Sequence, residues 1–114
     1  MPQLQATFSK ALRDPARDVR AKAVHALGLL TPLSSRLDAL VNDLATSPFA
    51  DDAPPEVVVA ALLGALTAVF ENLGSKVPKD DAVANAAHAA DAFADHADPE
   101  VAANAAKLRK ALPQ

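Results

Sequence analysis

The sequence predicts an all-α protein, built as a row of about three helical hairpins rather than around one closed centre. Three observations carry this. Apolar residues make up 51% of the chain, much of it alanine, and the aromatics are four Phe with no Trp or Tyr; that composition suits helices packed closely through small side chains. Nine prolines would break long helices but punctuate a chain of short ones. One type of segment, proline followed by an apolar helix, occurs at Asp14-Pro15, at Ala53-Pro54-Pro55-Glu56-Val57 and at Asp98-Pro99-Glu100-Val101. Pro15 to Pro55 is 40 residues and Pro55 to Pro99 is 44. A period in the 40s with two helices per unit is the signature of a HEAT-type, armadillo-like α-solenoid.

Helix one is expected from Pro2 to Arg13, with Leu4, Phe8, Ala11 and Leu12 on one face. Helix two follows with almost no loop, over Asp14–Leu30, making a tight αα-hairpin. Asp14 is placed to cap it, and Pro15 to take the first helical position, where a missing N–H has no intrahelical partner. Val19, Ala23, Ala26, Leu27 and Leu30 recur at helical spacing. Gly28 inside this helix costs about 1 kcal/mol relative to alanine, so a close helix contact is expected there. Thr31-Pro32 ends the element.

Helix three is expected over Ser34–Thr46, capped by Ser34 or Ser35, with Leu33, Leu37, Leu40, Val41 and Leu44 inward. Residues 47–55, SPFADDAPP, read as an ordered turn with Phe49 tucked in. Helix four, Glu56–Leu73, has a stripe wide enough for an inner helix touched from two sides: Val59, Leu62, Leu63, Leu66, Val69, Phe70 and Leu73. Gly74 is its expected C′ residue. Helix five runs from Pro78 or Lys79 to Ala97, with Asp80 and Asp81 in the first turn, where the helix dipole favours acids. Its face is weak: Val83, Ala86, Ala87, Ala90, Phe93 and Ala94. Helix six runs from Asp98-Pro99 to Leu112, with Val101, Ala105, Leu108 and Leu112 inward. The units are then 2–30, 33–74 and 78–112 of a single segment, 1–114. A repeat stack needs polar caps at its ends. Leu4 and Phe8 sit on a first helix that begins at residue 2, so an excerpt of a longer solenoid is expected.

The chain has no cysteine, which excludes a disulfide framework and cysteine–zinc sites. No apolar run approaches the roughly 20 residues of a membrane span, and MPQLQATFSK lacks the layout of a signal peptide. A cytoplasmic protein is the expectation. The net charge of −3 is unevenly spread. Residues 1–36 carry Lys10, Arg13, Arg17, Arg20, Lys22 and Arg36 against Asp14 and Asp18, and residues 37–100 carry twelve acids against Lys76 and Lys79. The basic front edge is either a solvated helix surface or a contact for an acidic partner or RNA. RNA recognition would want aromatics on that edge, and all four Phe are claimed by the core or turns.

No reactive constellation is visible, and neither an enzyme nor a cofactor is expected. His88, Asp91, Asp95 and His96 lie close in sequence, but residues 95 and 96 point about 100° apart on a helix, so the four do not converge on a metal. Asp51-Asp52 and Asp80-Asp81 are read as caps and first-turn acids.

Three phrases are more specific than the repeat pattern: PQLQATFSKAL at Pro2–Leu12, VRAKAVHALGLL at Val19–Leu30, and RLDALVNDLATS at Arg36–Ser47. Together with ALTAVFENLGSKV at Ala65–Val77, in the same order, they resemble a segment of the general control non-derepressible 1 family. These are very large HEAT-repeat activators of the amino-acid-starvation kinase, similar in repeat type to elongation factor 3. The likeness covers about the first two-thirds of the chain and fades after Pro78. It implies a protein-interaction scaffold in the region that binds the kinase's N-terminal RWD domain, within a protein that senses stalled or colliding ribosomes and promotes phosphorylation of the alpha subunit of initiation factor 2.

A family arginine important for kinase binding corresponds best to Arg20, in the VRxxA phrase, and less well to Arg17; Arg13 and Lys10 extend the candidate partner-binding set. Arg20 has two open readings: partner contact, or a bidentate link to an acid of the neighbouring unit that sets the stacking angle. The chain departs from the family at Val58-Val59-Ala60, where a basic or polar residue usually follows the valine, and in its alanine-rich third unit. The alternative function is a generic HEAT-repeat adaptor, or a ribosome- or RNA-contacting segment using the basic edge.

Overall fold

Among the described residues six α-helices follow one another with short connections: α1 Pro2–Ala11, α2 Arg17–Leu30, α3 Leu37–Thr46, α4 Glu56–Glu71, α5 Asp80–Phe93 and α6 Pro99–Ala111. The structure is a computed structural model and describes residues 2–50, 54–74, 76 and 78–113, with side chains from residue 7 onward. Single 3₁₀ turns, Thr31–Leu33 and Ser47–Phe49, follow α2 and α3, each with proline early in the turn where its missing N–H is harmless. There is no strand among the described residues.

The helices form three hairpins, α1/α2, α3/α4 and α5/α6, stacked in single file. One layer runs α2–α4–α6, the other carries α3 beside α5, and the fold is a HEAT-type α-solenoid segment. Helix α4 is the inner element: Val58 to Leu63, Ala65, Leu66, Thr67, Val69 and Phe70 are all buried. Its sequence alternates no polar face because α2, α6 and α3 all pack on it. Its one buried hydroxyl is satisfied within the helix, Thr67 Oγ1 donating to the Leu63 carbonyl at 2.9 Å.

Gly28 is where α2 and α4 touch. A Cβ there would lie 2.4 Å from the Ala68 methyl and 3.2 Å from the Ala68 carbonyl carbon, so the close contact expected from the sequence is the reason for the glycine. Helix α6 buries Val101, Ala105, Leu108 and Leu112 as its spacing requires. Polar links tie the second hairpin to the third at a separation of 41 to 44 residues. Asn85 Nδ2 donates to Asn42 Oδ1 at 2.7 Å, Lys79 N to Asp38 Oδ1 at 2.7 Å, and Asn104 Nδ2 to the Ala60 carbonyl at 2.9 Å. The Lys76 ammonium donates to the Pro32 carbonyl.

Several local expectations are corrected. Helix α2 begins at Arg17, not Asp14, and its N-cap, Ala16, offers no side-chain acceptor. Asp14 Oδ1 instead accepts from Ala16 N at 2.8 Å, a turn ahead of the helix. Ser34 makes a similar turn, accepting from Arg36 N, and Arg36 is the N-cap of α3; Leu33 is consequently 76% exposed instead of inward. Val19 is exposed rather than buried. The face of α5 is wider than expected: Ala82 and Ala89 are buried with Ala86 and Ala90, Val83, Ala87 and Phe93 pack half-buried against the core, and only Ala94 of the expected set is exposed. Gly74 is not C′: α4 ends on Asn72, and Gly74, at φ 63°, sits in a turn closed by Lys76 N donating to the Leu73 carbonyl. Pro48, not Phe49, is the buried residue of the Ser47–Phe49 turn. The expected cap at Asp51-Asp52 lies outside the described residues, as does the Leu4 side chain.

Candidate functional site

Because α2 and α6 each pack against α4 without closing over it, a strip of α4 stays open between them. Val57, Ala61, Gly64 and Ala68, at i, i+4, i+7 and i+11, floor a groove of about 380 Å³. Val24 on α2 and Asn104 on α6 are its walls at mid-length; a Cβ on Gly64 would meet them at 3.7 and 3.9 Å. The small side chains that permit close helix packing thus also make the floor shallow and apolar. The charged lining is Arg17 and Arg20 from α2, Glu100 and Lys107 from α6, and Glu71 from the end of α4.

Arg20 is half-buried, and its Nη1 donates to the carbonyls of Asp14 and Pro15, both at 2.9 Å. It does not reach an acid of the neighbouring unit, so the bidentate link expected of it is replaced by a staple on the α1–α2 turn. The cross-unit ion pair is made by Arg17, whose Nη2 lies 3.8 Å from Glu100 Oε1. Both side chains are largely exposed, 80% and 52%, and such pairs typically contribute no more than about 1 kcal/mol, less in salt.

Lys10 and Arg13 do not join this surface. They line a separate cleft of about 220 Å³ between α1 and α3, with Leu12, Leu40, Asp43 and Leu44. The four basic candidates are therefore divided two and two, and Lys10 does not extend the Arg17–Arg20 face. Glu71, Glu100, Asn104 and Lys107 were not singled out from the sequence as site residues. The signal for Asn104 is an amide within an alanine run, at one repeat length from Ala60.

A second cluster lies where the α3–α4 turn meets the C-terminal half of α5. Phe49 stacks on His88 with ring centroids 4.9 Å apart and tilts against Phe93 at 5.4 Å. His96 Nδ1 accepts from Asp98 N at 3.0 Å, so this histidine is engaged in shaping the α5–α6 turn. No three His, Asp or Glu residues gather as a metal site among the described residues, and no described helix is long and apolar enough to cross a membrane.

The chain is similar to several curated proteins. It is 42% identical over 78 residues, 68% of its length, to Protein ILITYHIA of Arabidopsis thaliana. It is 42% identical over 77 residues to the human "Stalled ribosome sensor GCN1", and 45% identical over 69 residues to the Dictyostelium discoideum "eIF-2-alpha kinase activator GCN1". It spans only about 2 to 3% of the length of these relatives. No family model and no solved structure matches it.

Proposed function

From its homology to a short segment of the GCN1 proteins, we propose that this chain is a protein-interaction segment. Its groove over α4 docks the RWD domain of the starvation-responsive initiation-factor-2-alpha kinase, and the solenoid it belongs to couples that kinase to the ribosome. The observation that carries the reading is the groove itself: an apolar floor on α4 beside two arginines of α2, Arg17 and Arg20. An apolar strip with arginine at its edge is what a protein surface carrying a few carboxylates recognises. The segment works as a non-catalytic scaffold in the cytoplasm, without a cofactor, and Lys10 and Arg13 add at most peripheral attraction from the α1–α3 cleft.

A titration of the purified RWD domain against this chain tests the reading. Arg17→Ala is expected to weaken binding about three- to tenfold, the effect of losing a rim charge contact, with no change in helicity. Gly64→Met, which puts a side chain onto the open floor, is expected to abolish binding while leaving the fold intact. Equal affinity of the native chain and both variants would remove the groove from the site, and no binding by the native chain would remove the docking reading. The ribosomal RNA alternative has less support, since the cations do not form one stripe. It would require an affinity that falls steeply with salt.

A further inference from the structure

The Arg17–Glu100 pair differs in kind from every other link described between the units. The bonds Asn85–Asn42, Lys79–Asp38 and Asn104–Ala60 are 2.7 to 2.9 Å long and join consecutive hairpins. Arg17–Glu100 joins the first hairpin to the third, passing over α4 at the mouth of the groove, and at 3.8 Å between exposed side chains it is loose. It is too solvated to set the stacking of the units. Arg20, next to it in the lining, is held by two backbone carbonyls and is not free to move.

We propose that Glu100 is an internal competitor for Arg17: its carboxylate occupies the place that a carboxylate of a docked protein partner must take. The proposal rests on the docking reading above and adds the residue that tunes it. Two features favour competition over a strap. The Arg17 side chain is 80% exposed, so an incoming carboxylate has direct access to it. Glu100 is on the first turn of α6, where the helix N-terminus keeps a released carboxylate favourably placed, so letting go of Arg17 costs the fold little. The remaining charges of the groove, Lys107 and Glu71, are of opposite sign and leave the Arg17–Arg20 end as its cationic part.

The test compares Glu100→Gln and Glu100→Asp in the full chain, with the kinase RWD domain as the probe and circular dichroism as the check on folding. Glu100→Gln removes the competing charge and is expected to tighten binding about two- to fivefold at low salt, the range a surface pair of this kind spans. Glu100→Asp keeps the charge and the helix-dipole contact but shortens the reach by one methylene, and it is expected to tighten binding to a similar degree. Combined with Arg17→Ala, neither substitution should have an effect. If the native chain binds and Glu100→Gln is neutral or weakening, the competitor role is overturned while docking stands. If Glu100→Gln tightens and Glu100→Asp does not, the gain comes from overall charge and the competitor role is again overturned. If the native chain does not bind at all, the docking reading falls and takes this proposal with it.

Discussion

The α1–α2 turn and the α5–α6 turn start from the same dipeptide, Asp-Pro, and end in different chemistry. Asp98 caps α6, its Oδ1 accepting from Glu100 N at 2.9 Å and Val101 N at 3.2 Å, with Pro99 in the first turn. Asp14 caps nothing in α2. The reason is a count of residues. In the third unit the acid–valine pair Glu100-Val101 follows the proline directly. In the first, Ala16 and Arg17 intervene before Asp18-Val19, so the residue three before the valine, where the cap must sit, is Ala16. The uncapped helix is held in other ways: Arg20 staples the turn through two carbonyls, and Gly28 lets α2 press against Ala68 of α4. A repeat therefore conserves the position of a helix start more faithfully than the bond that makes it.

That contrast can be broken at four points. The largest effect is expected from Gly28→Ala. The new methyl would overlap Ala68, and the α2–α4 contact must open at a cost of about 1–3 kcal/mol, partly offset by the better helix propensity of alanine. Chemical denaturation measures this, and adding Ala68→Gly should recover part of the loss. Asp98→Ala is next, at about 1 kcal/mol for a lost N-cap, read by the same unfolding curve and by faster amide exchange at Glu100 and Val101. Asp14→Ala should cost less, because only one turn bond goes with it. The smallest effect sharpens the comparison in the opposite direction. Ala16→Asp supplies α2 with the missing acceptor and should stabilise by about 0.5 kcal/mol, seen as a shift of the denaturation midpoint at unchanged slope.

Much of the fold was legible because its signals are local. The wide stripe of α4 announced an inner helix, Val101, Ala105, Leu108 and Leu112 announced the buried face of α6, and Gly28 announced a close contact. The misplaced details share a cause. Asp14 and Ser34 both spend their side chains on a turn before the helix, a competing use open to any short polar residue near a helix start. On α5, alanine at half of the positions makes neighbouring faces nearly equal in hydrophobicity, so the spacing does not separate Ala82 and Ala89, which are buried, from Ala94, which is exposed. The groove was less legible than the fold. Sequence proximity groups Lys10 and Arg13 with Arg17 and Arg20, but the reversal of the chain between α1 and α2 sends them to another cleft.

The amino-acid sequence alone settled the number, order and type of the helices and their repeat, because hydrophobic period and proline breaks act over a few residues at a time. The tertiary structure alone decided which arginine meets an acid, which aspartate caps, and that an open strip of α4 lies between α2 and α6. Those depend on the register between units some 40 residues apart, where a shift of one position exchanges every neighbour.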